Sequence, residues 1–315
     1  MHIKLWGVRG SLPTPMSADD YREGVVRILD RAKKRWEKQP SLDSGEVFNK
    51  LPEELKRPIG GNTTCLEVAH DNTLLIFDMG SGARRLGIDL LKKKFSGDIH
   101  VLITHTHWDH IQGWPFFVPG FIPGNKIHFY SAFSDLEKRL VEQQEFQFFP
   151  VGFNEMASKK EFHHFKNPEE FNIGPFTIQT HALHHPGGST AYRIQAGGKT
   201  LIFATDTEFY GENLKKDIAG ADAFFHGADI LLMDAQYTFE EASTKVGWGH
   251  TSARVAIECA IAWDVKKIIL THHEPAYNDQ KIHELHKKEI KEMKSQIKEK
   301  KLSVVTAYEE MEIEI

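Results

Sequence analysis

Four residues of metal-ligand type, His105, His107, Asp109 and His110, fall within one six-residue segment that follows the apolar run Val101-Leu102-Ile103. A short apolar run of that kind reads as a buried strand, which places the segment on the turn at the strand's mouth. Imidazole and carboxylate donors suit zinc or a similar divalent ion, and so dense a cluster on a strand-to-loop turn has few structural uses. A histidine pair alone would be surface chemistry or a satisfied core contact. The full HxHxDH spacing points instead to a site for two metals.

Other apolar runs also end in ligand-type residues. Leu74-Leu75-Ile76-Phe77 leads into Asp78-Met79-Gly80-Ser81-Gly82, Ala182-Leu183 into His184-His185-Pro186-Gly187-Gly188, Leu201-Ile202-Phe203-Ala204 into Thr205-Asp206-Thr207, and Ile268-Ile269-Leu270-Thr271 into His272-His273. Both later histidine steps are doubled. Neighbouring side chains of an extended strand point to opposite faces, so one member of each pair is expected to reach a shared site.

HxHxDH followed by lone ligands farther along the chain resembles the metallo-β-lactamase-fold hydrolases. The resemblance implies an α/β fold, a four-layer αββα sandwich. It also implies a ligand set: His105, His107 and His185 on one metal, Asp109, His110 and His272 on the other, and Asp206 between them. His185 and His272 are preferred over His184 and His273 because the family pattern has a histidine before Pro-Gly-Gly and another after Leu-Thr. Asp78, in a glycine turn, is expected to orient a ligand loop through hydrogen bonds. Zinc is the expected metal, with manganese or iron as alternatives. Two such ions about 3.5–4 Å apart lower the pKa of a water and act as Lewis acids, so the implied reaction class is hydrolysis.

One local feature narrows the class. Leu231-Leu232-Met233-Asp234-Ala235-Gln236-Tyr237, followed by Gly247-Trp248-Gly249-His250-Thr251-Ser252 opening a helix, resembles paired motifs of the phosphodiesterase branch, which includes ribonuclease Z and bacterial cyclic-nucleotide phosphodiesterases. The resemblance gives Asp234 and His250 the role of a relay that assists departure of an alkoxide, catalytic beside Asp109. Met233 stands where several relatives have histidine. The motifs GVRGS, GGNTT, THTHWDH, HHPGG, ATDTE and GHTS occur in order, and no long arm for gripping tRNA is evident. The expected function is hydrolysis of a small phosphodiester, a cyclic nucleotide first. The alternatives are a thiolester or lactone hydrolase, an RNA 3′-end nuclease, or a non-catalytic nucleotide sensor.

The net charge of −5 gives no general attraction for nucleic acid, so a polyanion partner would need a local basic patch. No apolar stretch nears the ~18–20 residues that span a bilayer, and the start shows no secretory pattern. With only Cys65 and Cys259, read as free buried thiols, a cytoplasmic setting is expected. Ligands spread from Asp78 to His272 imply a single domain over 1–315, with an insert at 14–58. There Ser17 with Asp20 resembles a capping box, and Tyr21, Val25, Ile28, Leu29, Ala32 and Trp36 share one helical face. That face packs on the body, serves as a substrate lid, or pairs with a second copy in a homodimer. A long helix is expected over 280–300 and strand over 302–314. The aromatic-rich stretch from Trp114-Pro115-Phe116-Phe117 through Phe146-Gln147-Phe148-Phe149-Pro150-Val151 is in part a pocket wall, or core. Arg9 and Asn62 are phosphate contacts or turn residues.

Overall fold

The computed structural model describes residues 1–315. Six strands, β1 (His2–Gly7), β2 (Cys65–His70), β3 (Thr73–Phe77), β4 (Asp98–Leu102), β5 (Lys126–Ser131) and β6 (Lys159–His164), build one sheet. A second sheet holds β7 (Glu170–Ile173), β8 (Phe176–Leu183), β9 (Ser189–Ala196), β10 (Lys199–Ala204), β11 (Ile230–Asp234), β12 (Lys267–Thr271) and β13 (Ser303–Thr306). The last strand, β14 (Glu312–Glu314), returns to the first sheet beside β1. Strands β3 to β6 run parallel, as do β10 to β13.

Alternation along each strand divides the core into three. Leu75, Phe77 and Leu102 of one sheet meet Ile178, Tyr192, Ile194, Leu201, Phe203 and Leu232 of the other. The opposite faces, Ile76, Val101 and Ile103 on one side and Ile202, Leu231, Met233, Ile268 and Leu270 on the other, are covered by helices. Helix Gly82–Lys92 supplies Ala83, Leu86 and Leu90, and helix Ala253–Ala262 supplies Ala256, Ile257 and Ala260. The result is the αββα sandwich. The Tyr192 hydroxyl donates to Ile103 O at 2.7 Å and Thr190 N to Thr104 O at 3.1 Å, tying the two sheets together next to the metal-type loop.

Three expectations change. The 302–314 stretch is two strands in different sheets, because the chain turns at Glu310, whose φ is 63°. The 280–300 helix is two helices, Asp279–Glu292 and Lys294–Glu299. Arg9 is not a phosphate contact: it is buried, and its guanidinium donates to Gly60 O, Tyr277 O and Asp279 Oδ1. Asn62 likewise spends its side chain on Glu309 and Ser81.

The insert contains helices Ala18–Lys38, Ser44–Asn49 and Glu53–Lys56. Ser17 caps the first, its side chain accepting from Asp20 N at 3.1 Å. The expected apolar face is formed but poorly covered: Ala32 is buried, whereas Tyr21 is 64% and Leu29 58% exposed. Residues 17–56 contribute nothing to the three core clusters. Replacing them with a short linker is therefore expected to leave the two-sheet body folded and to alter either KM or the mass in solution, according to whether substrate or a second copy covers the stripe. Thermal unfolding, light scattering and kinetics check this; unchanged KM and mass would leave the insert with a packing role only.

Candidate metal centre and proton relay

The ligand-type residues converge because each follows a strand that ends at the same rim of the sandwich, the usual place for sites on parallel strands. Asp78 follows β3, His105 β4, His185 β8, Asp206 β10 and His272 β12, while Asp234 ends β11. Asp78, Asp206 and His272 have positive φ of 59°, 51° and 60°, a conformation costly for a non-glycine residue and concentrated at functional sites.

Two groups of donors form, His105, His107 and His185 in one, Asp109, His110, Asp206 and His272 in the other, with the donor atoms of each within 4.8 Å of one another. Asp206 faces both. Its Oδ2 lies 3.6 Å from His105 Nε2 and 3.9 Å from His185 Nε2, while Oδ1 is 3.1 Å from both His110 Nε2 and His272 Nε2. Asp109 Oδ2 is 3.2 Å from His110 Nε2 and 3.1 Å from His272 Nε2. The structure thus takes His185 and His272 into the cluster. His184 is exposed, and His273 turns away to hydrogen-bond Ala307 O.

Four of the five imidazoles are aimed by the nitrogen on their far side. Nδ1 of His105 donates to Thr104 Oγ1 at 3.1 Å, of His110 to Asp78 Oδ2 at 2.8 Å, of His185 to Gly249 O at 2.9 Å, and of His272 to Gln236 Oε1 at 3.0 Å. These acceptors fix the tautomer that leaves each Nε2 lone pair facing inward. Asp78 also accepts from Thr104 N and Oγ1, both at 2.8 Å, so one buried carboxylate fixes the loop carrying His105 and His110. His107 is the exception: its Nδ1 faces inward, 3.0 Å from His185 Nε2, and its ring is exposed at the mouth.

The donor set fits divalent metal on its electrostatics. Nε2 of His105 is buried with no hydrogen-bond partner, and buried Nε2 of His110 faces only the carboxylates of Asp109 and Asp206. Burial holds the pKa of His105, His107 and His185 down, so these imidazoles are neutral donors. Burial also opposes charge on His110, yet Asp206, Asp109 and Asp78 outweigh it and hold its pKa well above the usual range. Those carboxylates call for positive charge, which a proton on His110 or a cation among the ligands can supply. Asp109 and Asp206 stay ionised, because His110 and its neighbours overcome the penalty of burial.

Beside the cluster, His250 Nδ1 donates to Asp234 Oδ2 at 2.7 Å, and Asp234 is fully buried and also accepts from Gln236 N at 3.0 Å. The His250 ring lies 5.0 Å from that of His272 and 5.2 Å from that of His185, centroid to centroid. Burial alone would pull the imidazolium down, but Asp234, then Asp206 and Asp109, lift the pKa to about 9. Met233 fills the helix-covered core. Trp108, between His107 and Asp109, is 81% exposed, and Trp248, two residues before His250, is 60% exposed. Of the aromatic stretch, Trp114 and Phe117 are core, while Phe116, Phe146 and Phe148 are exposed.

Sequence reasoning missed Glu208, although it lies within the ATDTE run. Its buried carboxylate accepts from Gly247 N at 2.9 Å and Gly249 N at 2.8 Å, holding the loop that delivers both Gly249 O to His185 and the His250 ring. Gly249 has φ 86°, and a Cβ there would fall 2.1 Å from His185 Nδ1, so the loop has one shape. Glu208→Gln removes the charge from these bonds, each worth about 1.5–3 kcal/mol. The expected result is a kcat lowered by up to roughly 10²-fold, as for a small misplacement of reacting groups, with KM and metal content little changed. Steady-state kinetics with elemental analysis check it.

The chain has measurable likeness to known proteins. Residues 84–273 match the model of the β-lactamase superfamily domain. Ribonuclease Z of Crocosphaera subtropica is 22% identical over 269 residues, which cover 69% of this chain and 81% of that one. The zinc-bound structure of PqqB from Methylobacterium extorquens superposes over 100% of both chains with a TM-score of 0.65 at 14% identity. A diphosphatase of the PhnP family does so over 100% of this chain and 97% of its own, with a TM-score of 0.62 at 15% identity.

Proposed function

This chain belongs to the β-lactamase superfamily, a family of metal-dependent hydrolases, and on that premise we propose that it is a dinuclear phosphodiesterase acting on a small phosphodiester, a cyclic nucleotide first. His105, His107 and His185 would hold one divalent ion and Asp109, His110 and His272 the other, with Asp206 shared. Zinc suits the five imidazoles and two carboxylates, and the zinc-bound neighbour supports that choice. When bound, the pair of ions supplies a nucleophile derived from water at neutral pH and Lewis-acid stabilisation of charge on the phosphoryl oxygens.

The observation that carries the reading is the His250–Asp234 pair. A thiolester releases a thiolate that needs little help, whereas an alkoxide expelled from phosphate is a poor leaving group unless it receives a proton. His250 presents that proton at Nε2. Asp234 takes the Nδ1 proton in its hydrogen bond, fixes the ring's orientation and stabilises its cationic form. Cations beside Asp206 and Asp109 would cancel two of the charges that lift His250, bringing its pKa down from about 9 toward neutrality, where a general acid works best. The exposed rings of Trp108 and Trp248 offer a planar base a stacking surface worth on the order of 1–3 kcal/mol per base.

A second reading, cleavage of an RNA phosphodiester, is favoured by the likeness to ribonuclease Z and opposed by the net charge of −5. Turnover of cyclic mononucleotides, cyclic dinucleotides and a precursor tRNA by the metal-loaded chain separates the two. The cyclic substrates are expected to be cleaved at low micromolar to millimolar KM, an ordinary range for enzymes; cleavage of precursor tRNA alone would move the chain to the second reading.

A further inference from the structure

On the β5–β6 edge of the first sheet, His128 on β5 and Glu161 and His163 on β6 bring three donor atoms together on one sheet face. His128 Nδ1 lies 3.0 Å from His163 Nε2 and 3.4 Å from Glu161 Oε2. We propose that these residues form a separate divalent-metal site, for zinc, copper or nickel, that pins the edge strand β6 to β5.

The spacing is that of ligands around one ion. With metal–nitrogen bonds of about 2.0–2.1 Å, two ligands of a tetrahedral zinc stand roughly 3.3–3.4 Å apart, close to the observed separations; the change required is release of Lys126 from Glu161 Oε2. Two imidazoles and a carboxylate are a donor set that borderline divalent ions prefer. The far nitrogen of His128 adds an independent indication. Its Nε2 is buried with no hydrogen-bond partner and lies 3.9 Å from Asp98 Oδ1. If Nδ1 ligates a metal, the proton sits on Nε2, and Asp98 would have to close from 3.9 Å to hydrogen-bond distance to orient the ring.

Lys159 and Lys126 ion-pair with Glu161 at 2.7 and 2.9 Å. A bound ion would have to displace Lys126 from Glu161, leaving Lys159 as its partner. His163 is exposed, which leaves the ion open to solvent for its remaining positions and makes the site a shallow one. His100, stacked on His128 at 4.8 Å between centroids and hydrogen-bonded through Nδ1 to the Tyr130 hydroxyl, backs the site. It lies on β4, five residues before His105; the two sites share no ligand.

The test is equilibrium dialysis of the full chain against excess zinc with elemental analysis, comparing wild type with His163→Ala and Glu161→Gln. Each variant is expected to bind about one equivalent less than wild type while hydrolysing substrate at the wild-type rate. Because the readout is a difference, it is independent of how many ions the hydrolytic cluster holds. Equal uptake by wild type and His163→Ala would overturn the proposal and leave a hydrogen-bonded histidine pair.

Discussion

Replacing Asp206 by Ala is expected to empty both halves of the hydrolytic cluster and to abolish turnover. Its two oxygens are the only acceptor shared by His105 and His185 on one side and His110 and His272 on the other. Removing one member of a buried charged network costs about 3–5 kcal/mol, which corresponds to roughly 10²–10⁴-fold in metal affinity. Asp206→Asn keeps the volume and one acceptor, so it should fold at least as well and still lose most bound metal. Elemental analysis of both variants, with phosphodiester turnover before and after added zinc, checks this. Full metal content in either variant would remove Asp206 from the bridging position. In the wild type, a chelator should abolish activity and zinc restore it.

The second large effect separates proton transfer from metal binding. His250→Ala is expected to keep both ions, since His250 is aimed by Asp234 and stands outside the two ligand groups, and to lower kcat by roughly 10²–10⁴-fold on an alkoxide-releasing substrate. Bis(p-nitrophenyl) phosphate should suffer far less, because nitrophenolate leaves without a proton. The wild-type rate on the alkoxide substrate should fall as pH rises through the pKa of His250, at or below about 9, since only the imidazolium donates. Asp234→Asn should show the same selectivity in weaker form. Equal losses on both substrates would reject the donor role, and lost metal would place His250 among the ligands.

How much could be read in advance depended on whether the chemistry was local in sequence. The turn His105–His110 was legible because four ligand types crowd one strand mouth, and Asp78, His185, Asp206 and His272 because apolar strands lead into them; strand alternation left one histidine of each pair for the site, and only the resemblance chose which. The Asp234–His250 hydrogen bond was legible only through resemblance, since nothing in the spacing of residues 234 and 250 requires it. Glu208 and Gln236 escaped notice because their partners are backbone amides and a ring nitrogen brought close by the fold: Glu208 meets Gly247 and Gly249, and Gln236 meets His272. Strands β6 and β7 leave little mark in the sequence for another reason. Lys159–His164 is a polar edge strand and Glu170–Ile173 is only four residues long, so neither carries a strong apolar alternation. Arg9 sits in a glycine turn of the kind that could hold phosphate, and only its four partners across the fold reveal a structural cation.

The reading as a phosphodiesterase is tested most directly by one comparison of rates. The zinc-loaded chain would be given a phosphodiester with an alkoxide leaving group, a glutathione thiolester and a lactone under identical conditions, and kcat/KM measured for each. The account predicts that the phosphodiester is preferred by at least the roughly 10²-fold that a positioned general acid contributes, and that His250→Ala erases that preference. Efficient cleavage of the thiolester or the lactone with no turnover of the phosphodiester would contradict it.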